Sequence, residues 1–80
     1  MVQPENIQDY IQQGLPCEFI EVRGDGHHFE AVIVSAAFAG KSKIQQHQLV
    51  YGVLGDRMRA EIHALSMQTF SPEQWASQPP

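Results

Sequence analysis

Apolar residues recur along this 80-residue chain in two rhythms. One has the helical period of 3.6 and the other the strand period of two. Ile7, Tyr10 and Ile11 stand at i, i+3 and i+4, which predicts an amphipathic first helix with one apolar stripe. Pro4 and Glu5 suit its start and Gly14 its stop. From Cys17 to Arg23 the pattern alternates, with Phe19 and Glu21 on one side and Ile20 and Val22 on the other. Phe29 to Ser35 is rich in apolar and β-branched residues and predicts a more buried strand. Gly24-Asp25-Gly26 between them predicts a hairpin turn, where positive φ favours glycine.

The helical period returns from Ile44 to Met58. Ile44, His47, Val50, Tyr51, Leu54 and Met58 fall on one predicted face. Leu49 and Val53 fall opposite, without an obvious core to enter, and suggest partner contact. Ile62 to Phe70 predicts a third strand, with His63, Leu65 and Met67 on one side. Ser71-Pro72-Glu73-Gln74 announces a final helix: Ser71 caps, Pro72 fits the first position and Gln74 completes a capping box. Trp75 is expected to anchor that helix, and residues 77–80 to form a flexible tail. The order αββαβα predicts one α+β domain over residues 1–80. Its sheet is three-stranded and mixed, with the third strand parallel to a neighbour and the longer helices on one face.

Composition narrows the classes. A hydrophobic share of 42% supports a packed core. The net charge of −4 argues against broad, charge-driven nucleic-acid binding. Lys41, Lys43, Arg57 and Arg59 are the candidate phosphate contacts, with Gly40 in the loop before the second helix. Cys17 is the one cysteine, so no intrachain disulfide forms. That suits a reducing compartment. The start lacks a basic-then-apolar leader pattern, and no apolar run approaches the ~18 residues of a membrane span. The expected location is the cytoplasm, without membrane attachment, and as a monomer when alone.

Four histidines carry the candidate chemistry. Neutral imidazole is a metal ligand, and His63 with a hairpin histidine, His27 or His28, would make a two-imidazole site. Adjacent residues in extended chain face opposite ways, so only one of the pair is expected to join His63. The plainer alternative is a polar loop pair beside a strand histidine bonded to backbone. His47 lies on the predicted apolar stripe and reads as a core histidine. No Cys-x-x-Cys pair, phosphate-binding glycine loop or dinucleotide fingerprint occurs. Nothing specific pairs Cys17 with a histidine as a nucleophile, so an enzyme is not expected.

Taken together, these pieces resemble the BolA-like family over nearly the whole chain. The carrying residues are Gly24-Asp25-Gly26 with His28-Phe29, Val32-Ile33-Val34-Ser35, Phe38-x-Gly40, His47-Gln48-Leu49-Val50-Tyr51, Ile62-His63-Ala64-Leu65-Ser66, and Thr69 through Trp75. The short hairpin is similar to that of the IbaG-like branch. The resemblance implies a fold like a type II KH domain without the KH glycine loop. It also implies a partner, a monothiol glutaredoxin of the Cys-Gly-Phe-Ser type, and a 2Fe–2S cluster shared with that partner and its glutathione. His63 would be one ligand, and His27 or His28 the second. The isolated protein is expected to hold no cluster. Many relatives carry Arg-His-Arg where this chain has Gln46-His47-Gln48. Two positive charges are missing there, which weakens the family's alternative role as a DNA-binding transcriptional regulator.

Overall fold

A computed structural model describes residues 1–78. The elements are α1 (Pro4–Gly14), β1 (Phe19–Gly24), β2 (His28–Val34), a 3-10 turn (Ala36–Phe38), α2 (Lys43–Leu54), α3 (Arg57–Ala60), β3 (Ala64–Phe70) and α4 (Pro72–Ala76). The sheet order is β1-β2-β3. β1 and β2 pair antiparallel, and β2 and β3 pair parallel. No described helix is long and apolar enough to cross a membrane.

The two faces of the sheet are used differently. Val22, Phe29, Ala31 and Ile33 turn toward α1 and α2 and join Ile7, Ile11, Val50 and Leu54 in the core. Each fully buried Ile, Val or Phe in that set stabilises by about 1.5–3 kcal/mol. The opposite face is mostly open. At one end Phe19, Val34 and Phe70 form a cross-strand row. Trp75 of α4 stacks on Phe19 at 5.5 Å and leans on Phe70 at 5.3 Å. Trp75 therefore does anchor α4, yet it stays 40% exposed.

The second helical segment differs from expectation. It breaks at Gly55, whose positive φ of 56° ends α2 and whose N–H bonds the Tyr51 carbonyl. Glycine reaches such a positive φ without the Cβ clash that other residues meet. α3 then follows as a separate turn. The buried face is also rotated. Ile44 is 71% exposed and Tyr51 is exposed. Leu49 and Val53 pack against the core, so they are not a free surface. The centre of the buried face is polar Gln46, which is fully buried.

Gln46 is buried because it is satisfied. Its Nε2 lies within hydrogen-bond reach of the Phe38 and Lys41 carbonyls and of Gln74 Oε1, at 3.2, 3.1 and 3.1 Å. Its Oε1 accepts from Thr69 Oγ1 at 2.7 Å. One amide thus ties together the 3-10 turn, α2, β3 and α4. Helices α2 and α4 both start on complete capping boxes, at Ser42 with Gln45 and at Ser71 with Gln74. Past α4 the chain stays bonded: the Ser77 N–H donates to the Glu73 and Gln74 carbonyls, and the Gln78 N–H to Trp75. The rest of the expected tail, 79–80, lies outside the described residues.

Candidate functional site

The first two strands and the entry to β3 bring three histidines to one end of the sheet. β1 ends at Gly24, and Asp25 begins the turn. Asp25 Oδ1 accepts hydrogen bonds from the backbone N–H groups of both His27 and His28, each at 2.9 Å. These bonds hold the Asp25 carboxyl below the usual carboxylate range. Gly26 turns the chain at φ 99°. A side chain there would be strained by that backbone conformation and would crowd the Met1 side chain. The hairpin therefore requires glycine at 26 and an acceptor at 25.

His63 does not lie in a strand, as the alternation had suggested. It occupies a bend just before β3. On one side Ile62 is plugged into the core, 3% exposed. On the other the Ala64 N–H donates to the His27 carbonyl at 3.1 Å, and Ala64 pairs with His28. That bond ties the β3 entry directly to the hairpin turn.

Both hairpin histidines reach His63. The His27 and His63 rings are centred 5.8 Å apart, nearly perpendicular. The His28 and His63 rings are 6.3 Å apart, again edge to face. The expectation that only one could approach rested on extended geometry. His27 instead lies in the turn, one residue before β2, where alternation does not apply. All three residues are exposed. Among the described residues, no three His, Cys, Asp or Glu side chains form a ready metal-holding group. The site is an open surface pair or triad of imidazoles.

The other candidates lie elsewhere. His47 is half-buried on α2, in a shallow cleft with Lys43, Met67 and Phe70. Cys17 is half-buried, with its thiol donating to the Leu15 carbonyl at 3.3 Å and pushed up in pKa by burial. It behaves as a small packing residue. The four cations divide between the two ends of α2. Lys41 and Lys43 stand at its start and Arg57 and Arg59 beyond its end, a separation of about 18 Å for twelve residues. Lys43 lies over the Phe70 ring at 4.3 Å and its ammonium donates to the Thr69 carbonyl. Arg57 lies over the Tyr10 ring at 4.0 Å.

Asp25 acts here as the organiser of the hairpin. The legible signal was an aspartate two and three residues ahead of the amides it accepts, the spacing of an Asx turn.

Comparison with known proteins bears on the family and the fold. Residues 11–74 match the family model described as BolA-like protein. The chain is 45% identical to the DNA-binding transcriptional regulator BolA of Haemophilus influenzae, over 90% of this chain and 80% of that protein. It is 35% identical to the acid stress protein IbaG of Escherichia coli, over 88% of this chain and 84% of that protein. Its fold is similar to the solved structure of a BolA homologue from Coxiella burnetii. The TM-score is 0.87 at 40% identity, with 95% of this chain and 99% of that one covered. The chain belongs to the BolA-like family.

Proposed function

We propose that the protein is a non-enzymatic adaptor that co-ligates a 2Fe–2S cluster with a monothiol glutaredoxin, in cluster trafficking or in iron or stress regulation. The observation that carries this reading is the exposed grouping of His63 with His27 and His28. Such metals sit about 2.0–2.1 Å from imidazole nitrogens, so two imidazoles on one tetrahedral metal have centroids roughly 5 Å apart. The His27–His63 spacing of 5.8 Å is a small side-chain swing from that separation. His28 at 6.3 Å needs a larger swing, which favours His27 as the second ligand.

Two imidazoles are half of a four-ligand set. In this reading the partner supplies the other half, from its cysteine and from glutathione. The cluster is cargo, and this chain holds it through neutral ring nitrogens. Imidazole in place of thiolate raises a cluster's potential. The reading goes with a cytoplasmic location, where a free thiol such as Cys17 persists.

The test is to mix the protein with cluster-loaded glutaredoxin and record the visible spectrum. A new spectrum, distinct from that of the glutaredoxin alone, supports shared ligation. Binding without spectral change contradicts it.

One observation favours a second reading, a nucleic-acid-binding regulator: the H. influenzae relative is named as one. That reading would use Lys41, Lys43, Arg57 and Arg59. Their division between two ends of α2, and the engagement of Lys43 and Arg57 with aromatic rings, leave no single cationic footprint. Salt-sensitive retention on DNA would support it.

A further inference from the structure

We propose that Tyr10, acting through Glu61, is a positioning residue for His63. The inference rests on the reading of His63 as a ligand, and it concerns what holds that ring in place.

His63 is exposed and its ring makes no hydrogen bond among the described residues. It also sits in a bend, outside the ladder that fixes β3. Its side chain therefore does not set its own position. The backbone before and after it must do so. After it, the Ala64 N–H is tied to the His27 carbonyl. Before it, the chain leaves α3 through Glu61 and Ile62, whose N–H groups both bond the Arg57 carbonyl, at 2.9 and 3.1 Å.

Helix α3 is only four residues long. A single turn is not stable alone. It needs a tie to the body, and α1 supplies one. The Tyr10 hydroxyl donates to Glu61 Oε1 at 2.7 Å, a bond that spans 51 positions. The Arg57 guanidinium stacks on the same Tyr10 ring at 4.0 Å. One α1 side chain thus grips both ends of the turn that delivers His63. The bond to Glu61 also raises the Tyr10 hydroxyl above its ordinary pKa, so it stays protonated and able to donate.

The arrangement explains why Tyr10 lies on the apolar stripe of α1 yet is only partly buried. Ile7 and Ile11 face the core, and Tyr10 sits beside them at the rim, with its hydroxyl turned to α3. With the Tyr10–Glu61 bond removed, the bend gains freedom and the His63 ring spends less time against His27. An exposed bond to a charged group changes such a balance by about two- to fivefold.

The experiment uses solution NMR of the free protein, which needs no cluster. Three variants are compared with wild type: Tyr10→Phe, Glu61→Ala and Glu61→Gln. Tyr10→Phe keeps the ring and the Arg57 stack and removes the donor. Glu61→Gln keeps an acceptor oxygen. The expected result is a weaker cross-relaxation peak between the His27 and His63 rings in Tyr10→Phe and Glu61→Ala. The His63 amide order parameter should fall from the rigid range near about 0.85 toward about 0.6. Contacts of Ile62 with the core should persist, and Glu61→Gln should restore the wild-type values. Unchanged ring contacts and order parameter in Tyr10→Phe would overturn the proposal, as would equal loosening in Glu61→Gln. Adding cluster-loaded glutaredoxin then separates the two claims. A loosened His63 with a wild-type midpoint for titration of the heterocomplex spectrum would leave the positioning role standing and count against His63 as a ligand.

Discussion

Gln46 and Thr69 join α2 to the end of β3 through a 2.7 Å hydrogen bond in the interior, with both side chains essentially inaccessible to solvent. The Gln46 amide carries only two N–H groups and has three acceptors around it. Removing it leaves the buried Thr69 hydroxyl without its acceptor and the half-buried Lys41 carbonyl without this donor, whereas the Phe38 carbonyl keeps the Lys41 N–H. Leaving buried polar groups unpaired costs about 1–3 kcal/mol each, partly relieved by relaxation. Gln46→Leu should therefore lower stability by roughly 1–3 kcal/mol, read as urea midpoint. Gln46→Leu with Thr69→Val should recover part of that loss, because both partners are then apolar. A single variant as stable as wild type would show that the network contributes little.

Trp75 should stabilise by less than a fully buried tryptophan. It makes two aromatic contacts but is 40% exposed. Trp75→Ala should cost about 1–3 kcal/mol, against the 3–5 of a buried large-to-small change. For a domain of this size each kcal/mol moves Tm by about 4–8 °C. An unchanged Tm would mean that α4 is not held by this stack.

Asp25 gives the hairpin a defined pH response. Its carboxyl is held below its ordinary range, chiefly by the His28 and His27 N–H bonds. A depressed carboxyl contributes stability that is complete above the ordinary value near ~3.9 and is lost as pH falls through the lowered one. The Asp25 side-chain carboxyl carbon resonance should therefore titrate below the ordinary aspartate range. Titration centred within or above that range would contradict the bonding described. Asp25→Asn should keep the turn and abolish that low-pH titration.

Nucleic-acid binding should be weak. The chain carries a net charge of −4, and its candidate cations do not form one patch. At about 0.15 M salt the dissociation constant should be no tighter than roughly micromolar, the non-specific range. A nanomolar, sequence-specific complex at that salt would reverse the ranking of the two readings.

Much of the fold could be read from sequence, because strong local signals agreed with the global packing. Pro4 and Gly14 bound α1 as expected, Ile7 and Ile11 are its buried stripe, and the Ser71–Gln74 box starts α4. The errors share a cause. Periodicity ranks residues by polarity, whereas burial follows satisfaction of hydrogen bonds. Gln46 was overlooked as core because its partners come from Phe38, Thr69 and Gln74, distant in sequence. With Gln46 set aside, the apolar face of α2 was drawn through Ile44 instead. Gly55 was read through because a lone glycine inside a periodic run does not announce a positive φ. Among the site residues, the trio of histidines was visible. The approach of one hairpin histidine to His63 was expected; that both approach it was not, because this depends on the parallel pairing of His28 with Ala64 and on His27 lying in the turn.

The central claim is that His63 is a ligand to a shared cluster, and one measurement addresses it most directly. Cluster-loaded monothiol glutaredoxin is mixed in turn with wild type, His63→Ala, His27→Ala, His28→Ala and His47→Ala. Folding of each is checked by circular dichroism, and the visible spectrum is recorded. Since His63 is exposed, its removal should leave the fold intact. The account predicts that His63→Ala loses the heterocomplex spectrum, that His27→Ala weakens it more than His28→Ala, and that His47→Ala changes stability but not the spectrum. A folded His63→Ala variant that still gives the wild-type heterocomplex spectrum would contradict the account.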